Sequence, residues 1–328
     1  MSKDDDETGR PLRAVALGGG AGLQASLAAL RRITSDVTAV VTVADDGGSS
    51  GRLRRELCTL PPGDLRKALS ALSAPDQQLW SELFEHRFGG NGALAGHAVG
   101  NLVLTGLLDV LGDPVAVLDQ ACRLLGVRGR VLPMSTEPLD MEADVVGLDE
   151  DPSAVRTIRG QVAIAATPGR VKTIRLYATD GTCGDPEGCS EAVRAVLDAD
   201  LVVLGPGSWF TSVLPHLLVP QLRKALVQTA ARRLVVLNLV PQPGETAGFS
   251  PEQHLDVLSA HAPELRVDAV LADAASVPTP DRLRAAAADL GAQTLLDRVA
   301  AERPGRHDPE ALATSLTAAL ERRKDRWQ

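Results

Sequence analysis

Aromatic residues are scarce: Phe, Trp and Tyr make up 2% of the 328 residues, with a single tyrosine. The core must therefore come mainly from Leu, Val and Ala. The same scarcity excludes a single-stranded nucleic-acid groove of the base-stacking kind. An excess of basic charge is also missing, the net charge being −8. Bulk attraction to DNA or to an anionic lipid surface is excluded, so an anionic ligand must be held by local donors. No apolar run reaches the roughly 18 residues that a membrane span needs, and no membrane insertion is expected. Residues 1–10, MSKDDDETGR, lack the basic start and apolar stretch of a signal peptide. The expectation is a cytoplasmic protein whose residues 1–11 form a disordered tail. Cys58, Cys122, Cys183 and Cys189 form no CxxC pair. They read as free thiols in a reducing compartment, with a Cys183–Cys189 disulfide left open.

What is present is an alternation of short apolar runs and helical spacings. Arg13–Leu17 reads as a strand, Leu23–Ile33 as a helix and Asp36–Val43 as a second strand. Asp64 reads as the N-cap of a helix over Leu65–Ser73. From Arg130 to Ala178 the runs are short and β-branched, which predicts an antiparallel or mixed sheet inserted at about 130–180. Helix Ser190–Asp198, strand Asp200–Leu204, strand Arg233–Leu239 and a final helix Asp308–Arg323 restore the parallel pattern. The fold class is α/β: a Rossmann-like, mainly parallel sheet with helices on both faces and a β-rich insertion, one domain over residues 12–325.

Three strand ends carry the chemistry. LGGGAGL supplies Gly18, Gly19, Gly20 and Gly22, whose free amides and following helix N-terminus suit phosphate. Leu23 stands where the dinucleotide fingerprint has its third glycine, and no Gly-Lys-Ser/Thr follows, so this is neither that fingerprint nor a P-loop. The alternative is a structural turn. VADDGGSSGRL supplies Asp45, Asp46, Ser49 and Ser50. An acid at that strand end accepts ribose hydroxyls, or the adjacent carboxylates Asp45 and Asp46 hold Mg²⁺. A turn with a capping serine is the bland reading. LGPGSWFTSV supplies Gly205, Gly207, Ser208, Thr211 and Ser212. Two glycine-hydroxyl loops at the ends of parallel strands should converge on one edge of the sheet. GHAVGN adds His97 and Asn101, either ligand contacts or structural groups. No sequence pattern nominates a nucleophile with its base: Ser208 has no evident partner.

The run LGGGAGL, VTVADDGGSSGRLRRE, PPGDLRKALSALS, GHAVGNLVLTGL, LGPGSWFTSVLPHLLVP and GETAGFSPEQHL resembles the gluconeogenesis factor (YvcK-like) family over about residues 12–275. The resemblance implies a Rossmann-like fold shared with the 2-phospho-L-lactate transferase (CofD-like) superfamily. It implies a cytoplasmic protein that binds UDP-activated sugars, chiefly UDP-N-acetylglucosamine. It also implies support of cell shape and cell-wall synthesis during gluconeogenic growth, with no established reaction. By motif position it puts ligand contacts on Gly19, Gly20, Asp45, Asp46, Asn101, Gly207, Ser208 and Asn238. The family's C-terminal tyrosine has no counterpart here, since Tyr177 falls elsewhere. Arg282, Arg284 and Arg298 stand as candidates for its arginine. Two functions compete: a sugar-nucleotide-binding regulator, with a homo-oligomer and regulators of cell-wall synthesis as partners, and an Mg²⁺-dependent phospho-transferase. An NAD-binding dehydrogenase is disfavoured by the missing third glycine.

Overall fold

Runs of Val, Leu and Ala without polar interruption favour strands covered on both faces, whereas strict alternation favours a sheet with one wet face. Both patterns are realised in the computed structural model, which describes residues 10–179 and 185–321. The expected N-terminal tail falls almost wholly outside the described residues, as do Cys183 and the residues after Glu321.

The chain begins β1 (Arg13–Gly18), α1 (Gly20–Ile33), β2 (Asp36–Val41), α2 (Gly48–Leu57), α3 (Pro62–Leu72), α4 (Gln78–Glu85), α5 (Val99–Leu111), α6 (Pro114–Leu124) and β3 (Arg130–Pro133). There follow β4 (Leu139–Val146), β5 (Arg156–Arg159), α7 (Gln161–Ala165), β6 (Arg170–Ala178), α8 (Ser190–Asp198) and β7 (Leu201–Leu204). The remainder is α9 (Pro220–Gln228), β8 (Arg232–Val236), α10 (Pro251–His261), β9 (Ala269–Asp273), α11 (Pro280–Asp289), β10 (Gln293–Asp297) and α12 (Pro309–Glu321).

Seven parallel strands form the main sheet in the order β10-β9-β8-β7-β1-β2-β3, with helices on both faces. The order runs outward in one direction from β1 and in the other from β7, so β1/β7 is the switch point where connections diverge and a crevice opens at the carboxyl ends. Their register pairs Leu17 with Leu204. Gly18 and Gly205 therefore leave the sheet side by side. β7 is buried at every position.

The second sheet is antiparallel, in the order β5-β4-β6. Along β4, Leu139, Met141, Ala143 and Val145 are buried while the residues between them are partly exposed, the pattern of a sheet packed on one face. The expected insertion needs one correction. Arg130–Pro133 pairs in parallel with β2 and is the edge of the main sheet; the antiparallel unit begins at Leu139. A four-residue run is too short to reveal its partner. Asp64 is not a cap either: α3 begins at Pro62, with Pro61 at the N-cap and no side-chain cap. Proline suits the first helical position because its missing N–H would have no intrahelical acceptor. β2 ends at Val41 and β8 at Val236, so Asn238 lies beyond its strand.

Candidate functional site

The first loop folds back so tightly that Gly20, at φ +59, opens α1 in a conformation other residues avoid. Gly19, the N-cap, supplies no side-chain bond to the helix. The amides of Gly20, Ala21 and Gly22 fall in the first turn, where no helical carbonyl reaches them. They sit at the positive end of the helix dipole. The second loop comes to meet them: a Cβ on Gly22 would lie 2.1 Å from the Pro206 carbonyl oxygen and 2.5 Å from the Gly207 Cα. The two expected loops share one crevice.

Two cavities flank that contact. The larger, about 410 Å³, runs past Gly22, Ala25, Ala28 and Gly207 to Asn238–Pro243 and Arg306–His307. The smaller, about 210 Å³, is polar and is lined by Gly20, Thr42, Asp45, Asp64, Lys67, Gln161, Ser208, Thr211 and Ser212. Thr42 ties the loops together, its hydroxyl donating to the Ser212 carbonyl at 2.8 Å.

Within the polar cavity the carboxylates are not the pair that sequence suggests. Asp45 lines it, Oδ1 accepting from the Gly47 amide at 2.9 Å. Burial pushes its carboxyl above the usual range, and the nearby Asp64 adds to the effect. Asp46 turns away and accepts from the Val162 amide at 2.9 Å, pinning the start of α7. Asp45 folds onto the Gly47 amide two residues on while Asp46 reaches across to α7, and so the Asp45–Asp46 pair is split. Asp64 takes the second place, with Lys67 Nζ donating to its Oδ1 at 2.9 Å. Among the described residues no group of three or more His, Cys, Asp or Glu is placed to hold a metal. Asp45 and Asp64 offer the one or two carboxylates that Mg²⁺ takes when substrate phosphates complete its shell.

Asn238 braces the second loop: it accepts from the Gly207 N–H and donates to the Gly207 carbonyl, both at 2.8 Å. The amide of Gly207, an expected ligand contact, is thereby used. Ser49, His97 and Asn101 line neither cavity. Ser49 Oγ lies 2.9 Å from His97 Nδ1 and accepts from Asn101 Nδ2 at 3.0 Å, while Asn101 Oδ1 accepts from buried Arg66 at 3.0 Å. This is an internal polar chain tying α2, α3 and α5 together. Burial lowers the His97 pKa, favouring the neutral ring. Ser50 likewise accepts from the Gly63 amide at 3.0 Å. Gly18 and Gly205 are strand-end positions: the Gly18 carbonyl accepts from Thr42 N, and Gly205 N donates to Leu17.

Sequence reasoning missed Lys67, Gln161, Glu245 and Arg306. Asp64 and Lys67 share an i,i+3 face of α3, a legible spacing. Arg306 lines the larger cleft, whereas Arg284, one of the expected arginines, pairs with Asp281 at 2.7 Å on α11. Tyr177 reaches Glu142 on the small sheet at 3.4 Å.

Comparison with known proteins agrees with the fold. Residues 14–315 match the family model described as 2-phospho-L-lactate transferase CofD. A Mycobacterium tuberculosis protein named "Putative gluconeogenesis factor" is 58% identical over 315 residues, covering 94% of this chain and 90% of its own. The Bacillus subtilis protein named "Gluconeogenesis factor" is 38% identical over 261 residues, covering 80% and 78%. A crystal structure of a UPF0052 family member from Bacillus halodurans superposes with a TM-score of 0.83 at 34% identity, covering 94% of this chain and 99% of that one.

Proposed function

The chain belongs to the CofD (2-phospho-L-lactate transferase) family, and from that premise we propose that it binds a UDP-linked sugar of the UDP-N-acetylglucosamine type as a regulator without turnover. The observation that carries this reading is the contact of Gly22 with Pro206 and Gly207, which puts one anion-binding helix end between two cavities of different polarity. The diphosphate lies at the amides of Gly20–Gly22. The nucleoside occupies the larger cleft, whose walls include Ala25, Ala28 and Leu239, with Arg306 at its rim. The sugar occupies the polar cavity, where Asp45 and Asp64 accept from its hydroxyls. By this reading the protein acts in the cytoplasm. It supports cell shape and cell-wall synthesis during gluconeogenic growth, as a homo-oligomer and through regulators of that synthesis. Among the described residues no helix is long and apolar enough to cross a membrane.

The test is a calorimetric titration with UDP-N-acetylglucosamine, UDP-glucose, NAD and GDP. Saturable binding of the UDP-sugar should raise the melting temperature, by about 2.7 kcal/mol of stability at a hundred times Kd. No stabilisation at millimolar ligand would sink the reading.

The facing carboxylates of Asp45 and Asp64 favour a second one, an Mg²⁺-dependent phospho-transferase. Bound there, Mg²⁺ would neutralise charge on a diphosphate as the bond to the leaving phosphate breaks. Lys67 would hold Asp64 in place. This reading requires Mg²⁺-dependent product formation that Asp45→Asn abolishes, and product without Mg²⁺ would refute it.

A further inference from the structure

A third carboxylate stands behind the polar cavity. Glu245 is 2% exposed. Its Oε2 accepts from the main-chain N–H groups of Phe210 and Thr211, each at 3.1 Å. Those amides open the π-helical turn Trp209–Val213, where the turn itself offers them no acceptor. The hydroxyls of Ser208 and Thr211 lie beside the same carboxylate, and both residues line the cavity.

The loop that carries Glu245 is wedged in place. Gly244 has φ +87, and a Cβ there would meet the Ala165 carbonyl oxygen at 2.0 Å, at the end of α7. Thr246 is buried, and its hydroxyl accepts from Gln242 N at 2.8 Å. Phe249 packs edge-on against Phe210 with ring centres 6.0 Å apart. The inserted sheet thus fixes the second loop through Glu245, while Gln161 of the same short helix α7 faces the ligand cavity.

We infer that Glu245 is a positioning residue that makes the second loop a reader of neutral hydroxyls rather than a phosphate cradle. This rests on the crevice being a UDP-sugar site, and it deepens that assignment. Two amides that could receive an anion are already spent on a carboxylate. Ionised, Glu245 also sets a negative charge behind Ser208 and Thr211, which line the cavity, and a second anion there is disfavoured. The diphosphate is left to the amides of α1. The group beyond it, at Ser208 and Thr211, must be uncharged and hydroxyl-bearing. A nucleoside triphosphate, which carries an anion in that position, is rejected.

The experiment compares wild type, Glu245→Gln and Glu245→Met by calorimetry with UDP-N-acetylglucosamine, UDP and UTP at pH 8. Gln keeps an acceptor for both amides and removes the charge; Met keeps the volume and removes both. Glu245→Gln should hold UDP-N-acetylglucosamine within about threefold of wild type and bind UTP roughly tenfold tighter, UDP being unchanged. Glu245→Met should lose UDP-N-acetylglucosamine affinity by more than about tenfold. Hydrogen exchange over residues 209–213 is read in parallel without ligand and should accelerate in Glu245→Met but not in Glu245→Gln. The inference is overturned if Glu245→Met keeps both wild-type affinity and wild-type exchange, or if UTP discrimination is the same in Glu245→Gln as in wild type. If wild type binds no UDP-sugar, the hydroxyl-reading role is overturned with the ligand assignment. The exchange result then stands alone in deciding whether Glu245 holds the loop. Should Glu245→Met not fold, the Glu245→Gln selectivity decides.

Discussion

A methyl group on Gly22 would sit 2.1 Å from the carbonyl oxygen of Pro206. The neighbour is backbone on a strand-end loop, so it cannot swing aside as a side chain would. Gly22→Ala should therefore push the two loops apart. We expect about 1–3 kcal/mol of lost stability, the range for overpacking. UDP-sugar affinity should fall by more than about tenfold, because misplacing the reading groups is costly. Urea unfolding and calorimetry on the same preparation check both, and unchanged affinity would show that the crevice is not the site.

Asn101→Ala probes the buried polar chain. The change removes the acceptor of Arg66 Nε and the donor to Ser49. Leaving those groups unsatisfied should cost about 1–3 kcal/mol. Ligand affinity should change by less than about threefold, since Asn101 lines neither cavity. A loss of binding without a loss of stability would return Asn101 to the ligand shell.

Asp45 carries a pH signature. Burial raises its carboxyl pKa above its ordinary value of 3.8. The folded protein therefore holds a proton that the unfolded chain has released, and stability falls as pH rises from 3.8 through the raised value. Asp45→Asn should raise the melting temperature at pH 7, with the gain vanishing below pH 3.8. Stability given up at a ligand site is the usual trade. A lower melting temperature for the variant at pH 7 would contradict this account.

His216 works in the other direction. It is fully buried, with Nε2 3.0 Å from the Val40 carbonyl of β2 and Nδ1 3.2 Å from that of Val213. Burial lowers its pKa from 6.5 to about 4. The unfolded chain takes up a proton between pH 6.5 and about 4 that the folded protein refuses, so stability drops as pH falls through that window. His216→Gln should flatten that part of the profile. Denaturant unfolding at pH 7, 5.5 and 4.5 gives the difference, and parallel profiles would exclude His216 as the cause.

Much of the frame was legible because it depends on local pattern. Uninterrupted apolar runs announced β1 and β7, and glycine and hydroxyl residues at both strand ends announced the two loops. The register that pairs Leu17 with Leu204 then makes the loops neighbours. Arg130–Pro133 was misplaced because a four-residue run, Arg-Val-Leu-Pro, fits the edge of either sheet. Asp46 was misplaced because sequence adjacency says nothing about which way each side chain points.

The sequence by itself determined the α/β class, the parallel strands and the positions of the glycine loops, since strand periodicity and glycine's freedom at positive φ are properties of short segments. Only the tertiary structure decided which polar groups face the crevice. It set Asp64 and Lys67 beside Asp45, turned Asp46 to Val162, and spent Asn238 and Glu245 on backbone amides of the second loop. A hydrogen-bond partner is chosen by what packing brings within about 3 Å. Between Thr211 and Glu245 that choice spans 34 residues of chain.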